Sequence, residues 1–521
     1  MIRPLASLLA LVGAVAGATY QAPSAATVDA AFGTFFDARS AAETGAAIEQ
    51  IVASGIGVDD ARARLTRGRV YSGTVARGVV QASYRRDNVE YFYTLDVPQT
   101  YDPARAYQVR VQLHGGVGRM EASAPPRTDS NGRLAGAEQI YVMPYAWRSA
   151  PWWSRQQTDN LRTVLDAVKR AYNVDENRVV LSGVSDGGTG AYFTAMRDTT
   201  PYASFLPLNG FILVLQSEMS DADGDVFPNN LVNKPMFVVN GGRDPLYPTS
   251  IVGPSVDHLA KGGVDITYRP QPNAAHDTSW WPDVQDSFER FVAEHPRTPL
   301  PDTLTWESGT VPSRAHWLVI DRLAPRSPDD APLQDVNRRA TTPAMEFGIR
   351  GSGQRITRVV AGSNAQQIGL KSGDVVTAIN NQATSEGVDL ADVLGGFPSG
   401  RPLILTVTRG SQPVRVTGRY APSVLPGEAD AMFPPTGESG RVDLTRAGNR
   451  VNATTRGVGT FTLLLSPDQF DLTRPVTIVV NGRTAFEGVA QTNLRTLLAW
   501  AAQDRDRTML FAASLSIDVP R

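Results

Sequence analysis

The stretch "LSGVSDGG" (residues 181–188) holds the only G-x-S-x-G of the chain and offers Ser185 as a nucleophile. A serine hydroxyl attacks a carbonyl only if a base takes its proton and donors receive the oxyanion that forms. Glycines at 183 and 187 suit a sharp turn that lifts the serine Oγ clear of a strand end. The chain has 46 glycines, so the match gains meaning only from the residues that accompany it.

Five histidines compete for the role of base. His114 lies in "LHGG", His258 falls within a helical pattern, His295 ends one, and His316 lies beyond the region that carries Ser185. His276, in "PNAAHDTSWW", follows the last strand of that region, where a parallel sheet collects its site residues. It is the expected base. An acid must hold the imidazole in the right tautomer. Asp244 in "VVNGGRDPLYP" follows a strand and lies between nucleophile and base in the chain. A turn-forming Asp before Pro is its structural alternative. Asp277 is a rival, but an immediate neighbour of His276 is poorly placed to reach its Nδ1. Backbone N–H groups of Gly115 and Gly116, with that of Asp186, are expected to bind the oxyanion.

The elements that must hold these residues alternate. "VEYFYTLDV" (89–97), "YQVRVQLHG" (107–115), "QIYVMPY" (139–145), "RVVLSGVS" (178–185), "KPMFVVNGG" (234–242) and "DITYRPQP" (265–272) read as strands. Helical periods fall at 159–174, 188–198, 250–263 and 281–295. This order predicts an α/β domain over 69–300, a mostly parallel sheet with helices on both faces.

Four segments of this domain, "LHGG", "GVSDGG", "GGRDPLYP" and "PNAAHDTSWW", resemble the α/β-hydrolase fold, close to the secreted esterase and polyhydroxybutyrate-depolymerase-like group. The resemblance implies a serine esterase working through an acyl-enzyme, with a small-molecule or polymeric ester as substrate and no cofactor. Asp186 departs from the small residue common after the serine in such esterases. Trp147, Trp152, Trp153, Trp280 and Trp281 lie on the expected active-edge loops and are candidates for lining a substrate pocket, with packing under the loops as the alternative. The same triad cuts amides, so a serine peptidase of the prolyl-oligopeptidase type is the rival enzyme. A binding protein on an inactive hydrolase scaffold is the rival of another class, and an incomplete triad would signal it.

Residues 345–420 resemble a PDZ domain through "MEFGIRG" and "AQQIGLKSGDVVTAINNQ". The resemblance implies a ligand loop at Phe347, Gly348 and Ile349 that captures a peptide or protein C-terminus. Glu346 beside it opposes a carboxylate. Pro-rich stretches at 324–344 and 420–440 read as linkers. Residues 441–521 read as a β-rich domain, with 301–323 of similar character as a candidate part of its sheet. Residues 27–68 read as two or three short helices.

The chain opens with Arg3 and an apolar run from Leu5 to Ala18 that ends in small residues. This predicts a signal peptide over 1–18 and export to a periplasmic or extracellular space. No later segment is long and apolar enough for a membrane span. There are no cysteines, which excludes disulfides, thiolate nucleophiles and Cys-ligated zinc. The net charge of −2 gives no field that would draw nucleic acid. "SDADGDVFPNN" (220–230) places Asp221, Asp223 and Asp225 in a calcium-like spacing, but its glycine falls too early and no Glu follows. No metal is expected.

Overall fold

The computed structural model describes residues 24–118, 134–216, 222, 226–326, 336–337, 343–384, 390–395, 397–422, 432–433 and 437–520. The expected signal peptide, Asp221, Asp223, Asp225 and most of both linkers lie outside the described residues. Among the described residues no helix is long and apolar enough to cross a membrane. The chain divides into two units, Met1–Arg69 with Thr492–Ala512, and Val70–Gln491 with Ala513–Arg521.

The first unit is helical because its sequence caps and stripes three short helices. Ser24 accepts from the Thr27 N–H to open α1 (Ala25–Asp37). Ser40 and Glu43 form a reciprocal capping box at α2 (Ala41–Ala53). Helix α3 (Val58–Arg67) has two acids in its first turn and Arg64 and Arg67 in its last, which complements the helix dipole. Val28, Ala31, Phe32 and Phe35 recur at helical spacing and pack with Ile51, Leu65, Leu497 and Leu498. The last two belong to a helix at Leu494–Asp504, capped by Asn493. Within the β-rich 441–521, this Leu- and Ala-rich stretch is helical and packs with the N-terminal helices.

The second unit begins with β1 (Gly78–Arg86) and β2 (Val89–Val97), joined through Asp87 and Asn88, both at positive φ, as a two-residue hairpin requires. Then follow β3 (Tyr107–Leu113), β4 (Ile140–Pro144), α4 (Arg155–Ala171), β5 (Val174–Val184), α5 (Asp186–Arg197), β6 (Phe205–Leu208), β7 (Met236–Gly241), α6 (Thr249–Lys261), β8 (Ile266–Gln271) and α7 (Trp281–Glu294). The sheet order is β1-β2-β4-β3-β5-β6-β7-β8. Strands β1, β2 and β4 pair antiparallel, and every pair from β4 onward is parallel.

Alternation along the strands feeds two cores. Val179, Leu181, Met236 and Val238 face one side with Leu161, Val164 and Leu165 of α4 and Val252, Val256 and Leu259 of α6. Val180, Phe237 and Val239 face the other with Val284, Phe288 and Phe291 of α7. Central strands buried on both faces read as apolar runs, which is why they stood out in the sequence. This strand order, with helices on both faces, is the α/β-hydrolase fold.

Beyond it come β9 (Thr303–Ser308), β10 (Ser313–Ala315) and β11 (Leu318–Leu323). The PDZ-like part has α8 (Pro343–Phe347), β12 (Ile349–Ser352), β13 (Arg355–Val359), α9 (Asn364–Gln367), β14 (Val375–Ile379), β15 (Gln382–Ala383), α10 (Leu390–Gly395), β16 (Pro402–Arg409) and β17 (Gln412–Arg419). Its sheet order β12-β13-β14-β16-β17 leaves β12 at an edge. Last come β18 (Gly440–Ala447), β19 (Arg450–Arg456), β20 (Val458–Leu465), β21 (Val476–Val480), β22 (Arg483–Gly488) and β23 (Ala513–Asp518). They form two sheets, β10-β11-β20-β23 and β22-β21-β19-β18-β9, so strands from 301–323 pair with strands that follow the PDZ-like part.

His316, between β10 and β11, is buried, and its Nδ1 donates to the Pro299 carbonyl at 2.8 Å. Burial first, and Lys234 second, hold its imidazole well below the usual histidine value. The unfolded chain therefore takes up the proton first, and stability falls as pH drops below about 6.5, by up to about 1.4 kcal/mol per pH unit. Its φ of 51° is one that Asn tolerates. Thermal melting at pH 7.5 and 5.5 is expected to show a smaller acid loss in His316→Asn than in the unsubstituted protein; equal losses would remove His316 as the cause.

Candidate active site

Strand β5 ends in a turn that only a constrained backbone makes. Ser185 has φ 58° and ψ −119°, a conformation rare for a residue with a side chain. Its N–H donates to the Leu208 carbonyl at 2.8 Å, and its own carbonyl accepts from Thr189 at 3.0 Å as α5 begins. Close approach explains the two flanking glycines. A Cβ at Gly183 would strike the Gly187 backbone, and one at Gly187 would strike the Leu113 carbonyl. The turn thus puts Ser185 beyond the strand end, beside the loop that follows β3.

Loops after β7 and β8 bring Asp244 and His276 to it. His276 Nδ1 donates to Asp244 Oδ2 at 2.6 Å, and its Nε2 faces Ser185 Oγ at 2.8 Å. With the proton on Nδ1, Nε2 is left to accept from the serine hydroxyl. Asp244 has no exposed side-chain surface, while His276 keeps 21% of its own, so the acid is walled off and the imidazole is open to the site. The second carboxylate oxygen of Asp244 accepts from the N–H groups of Leu246 (2.8 Å) and Tyr247 (3.0 Å), which stops the acid from swinging away.

The remaining candidates are occupied elsewhere. Asp277 accepts from the Ser279 hydroxyl and N–H, which hold its carboxyl below the usual range. His258, His295 and His316 each put a ring nitrogen on a backbone carbonyl. His114 has a supporting place. Its Nε2 accepts from the Ala146 N–H at 3.1 Å, so Nδ1 carries the proton and donates to the Gly115 carbonyl at 2.8 Å.

Gly115 lies against Ser185, where a Cβ would come 3.0 Å from that of the serine. The loop is held at one end by Trp152 Nε1, which donates to the His114 carbonyl at 2.8 Å. At the other end the Val117 N–H donates to Asp186 Oδ2 at 2.8 Å. The N–H groups of Gly115, Gly116 and Asp186 have no protein acceptor among the described residues. Asp186 opens α5, so its N–H is also one of those a helix leaves unpaired.

Two asparagines escaped the sequence reading. Asn209, buried at φ 48°, donates from Nδ2 to the Asp277 carbonyl at 2.7 Å and so ties down the histidine loop. Asn240, also buried, donates to the Gly210 carbonyl at 3.2 Å. Both stand in Asn-Gly pairs after apolar strands, a pattern that signals a turn and not a second task.

Of the two roles open to the tryptophans, packing is the one their burial supports. Trp147, Trp152, Trp153, Trp280 and Trp281 are all buried. Trp147 packs on Tyr91, Trp152 and Trp153 join the core under α4 and α5, and Trp280 and Trp281 join that under α7. Trp281 also donates to the Ala135 carbonyl at 2.8 Å. Indole rings of this size fill cores, and most of these N–H groups find an acceptor, whereas the Trp280 Nε1 has none among the described residues. Aromatic groups at the site are instead Tyr247, whose ring centre is 5.8 Å from that of His276, and Phe211, 5.9 Å from Tyr247. Burial, with Asp186 and Asp244 nearby, pushes the Tyr247 phenol up.

The expected PDZ ligand loop is corrected in part. Phe347 is fully buried against Tyr420. Gly348, at φ 97°, gives its N–H to the carbonyls of Ala344 and Met345, so it does not await a carboxylate. Ile349 differs. The Val360 N–H donates to the Gly348 carbonyl at 2.9 Å, which makes Ile349 and Val359 a non-hydrogen-bonded pair. The Ile349 N–H therefore faces the open edge of β12.

Residues 355–409 match the family model of the PDZ domain. Among solved structures the chain is similar to a thermostable esterase at 21% identity over 42% of this chain, with a TM-score of 0.33. The match spans 63% of that structure's length. It is also similar to native esterase 2 of the Planctomycetes species Thermogutta terrifontis (18% identity, 42% of this chain, 92% of that one, TM-score 0.36). A ferulic acid esterase gives 18% identity over 42% of this chain and 98% of its own, with a TM-score of 0.32. No curated protein matches the sequence.

Proposed function

We propose that this protein hydrolyses carboxylic esters through an acyl-enzyme on Ser185. The observation that carries the reading is the unbroken relay from Asp244 through His276 to the Ser185 hydroxyl, set beside uncommitted backbone donors. Ser185 Oγ attacks the ester carbonyl while His276 Nε2 takes its proton. The oxyanion is received by N–H groups from Gly115, Gly116 and Asp186. His276 then protonates the leaving alkoxide, and the acyl group stays on Ser185. Water, deprotonated by the same imidazole, attacks the acyl carbon, and the carboxylic acid leaves as Ser185 regains its proton. Asp244 stabilises the imidazolium in both halves. Tyr247 and Phe211 supply an apolar wall on the histidine side.

The open edge of β12 favours a second reading, a serine peptidase to which the PDZ domain presents an extended chain by β-augmentation. Export of the chain through its apolar N-terminal stretch belongs to both readings. Turnover of p-nitrophenyl butyrate and of aminoacyl p-nitroanilides, measured side by side, separates them. The ester reading expects kcat/KM for the butyrate to exceed that for any anilide by at least about 100-fold, equivalent to roughly 2.7 kcal/mol in the barrier. Faster cleavage of the anilides would give the peptidase reading precedence.

A further inference from the structure

Asp186 is the one residue of the nucleophile turn that brings a charge to the site, and that charge has a cost. A carboxylate next to the nucleophile opposes both the developing oxyanion and any substrate that carries a negative group. An alanine would avoid the cost and still supply the backbone N–H. The structure shows what the side chain does in return. Its Oδ2 accepts the Val117 N–H at 2.8 Å across 69 residues of chain, closing the loop that carries Gly115 and Gly116 onto the first turn of α5. The three N–H groups assigned to the oxyanion thus come from two segments, and this hydrogen bond joins them.

We propose that Asp186 is a positioning residue that latches the Gly115–Val117 loop for catalysis and, through its charge, excludes esters with an anionic acyl group. The inference rests on the acyl-enzyme reading above. Two functions are placed on one carboxylate, and they separate by substitution. Asparagine keeps an oxygen that accepts the Val117 N–H but loses the charge; alanine loses both. The helix N-terminus gives the ionised form a further reason to be tolerated there.

The test uses the full chain, with p-nitrophenyl butyrate as the neutral ester and mono-p-nitrophenyl glutarate as the anionic one. Asp186→Ala is expected to lower kcat on the butyrate about 10- to 100-fold with KM changed less than about 3-fold, since a loop displaced by about 1 Å costs on this order. Asp186→Asn is expected to lose at least about 5-fold less kcat on the butyrate than Asp186→Ala loses, and to raise relative turnover of the glutarate about 10-fold. Full activity in Asp186→Ala, or equal damage in both variants at unchanged melting temperature, overturns the latch. Unchanged discrimination in Asp186→Asn overturns the exclusion. If Asp186→Ala does not fold, Asp186→Leu, which fills the same space without an acceptor for the Val117 N–H, takes its place, and full butyrate turnover there overturns the latch. Turnover in the unsubstituted protein that survives Ser185→Ala would defeat the acyl-enzyme reading itself, whatever the Asp186 variants do.

Discussion

Ser185→Ala is expected to lower kcat on p-nitrophenyl butyrate by about 10⁶-fold, and His276→Ala by about as much. The two substitutions together are expected to cost no more than either alone. The reason lies in the geometry. With 2.8 Å between His276 Nε2 and Ser185 Oγ, the hydroxyl and the imidazole act as one unit, and a serine without its base is as inert as a base without its nucleophile. What remains in either variant is binding and the oxyanion donors, whose loop neither substitution touches. KM should therefore stay near its original value. Losses that multiply in the double variant would mean that the two residues act in separate steps.

Asp244→Asn is expected to lower kcat by about 10⁴-fold with the fold intact. Asp244 accepts three hydrogen bonds, one from His276 Nδ1 and two from the N–H groups of Leu246 and Tyr247. An asparagine there can keep the two backbone bonds through its oxygen and turn its NH₂ toward the imidazole. His276 Nδ1 would then have to accept, which puts the proton on Nε2 and leaves nothing to take the serine hydrogen. The loss should fall on kcat, and a melting curve close to that of the unsubstituted protein should accompany it. A drop of less than about tenfold would mean that His276 is oriented by something else.

Much of the candidate site could be read from the chain because Ser185 and Asp244 follow buried strands. The runs before Ser185 and Asp244 are apolar on both faces of the sheet, so their ends were easy to find, and the turn or loop that follows a parallel strand is where chemistry collects. His276 follows β8, a strand with no buried residue, and stood out by its place after the last strand of the sheet and by the scarcity of histidines. What the chain hid was tertiary. The five tryptophans could be pocket walls or packing under the loops, because composition cannot tell which side of a loop a ring faces. Asn209 and Asn240 went unnoticed because their side-chain hydrogen bonds reach segments distant in sequence. Helix Leu494–Asp504 was lost among flanking strands, although Asn493 and the Leu and Ala spacing marked it. Gly348 was placed in an open loop, but a helix of one turn ends just before it and takes its N–H.

The odd feature of the nucleophile turn was the charge at Asp186, and the distance to Val117 gives it a physical account. A side chain that looked foreign to an esterase site becomes the tie between the two halves of the oxyanion loop. The same arrangement links the fold to the chemistry: the antiparallel β1-β2 hairpin closes one edge of the sheet, the parallel strands carry the loops, and the loops converge where the helix dipole of α5 favours negative charge.

The central claim is that Ser185 forms a covalent acyl-enzyme, and trapping tests it most directly. A p-nitrophenyl phosphonate ester, incubated with the full chain and followed by intact-mass and peptide mass spectrometry, should add one group per chain, on Ser185. Labelling should vanish in Ser185→Ala and slow by orders of magnitude in His276→Ala. A label that lands on another residue, or enters Ser185→Ala as fast as the unsubstituted protein, would contradict it.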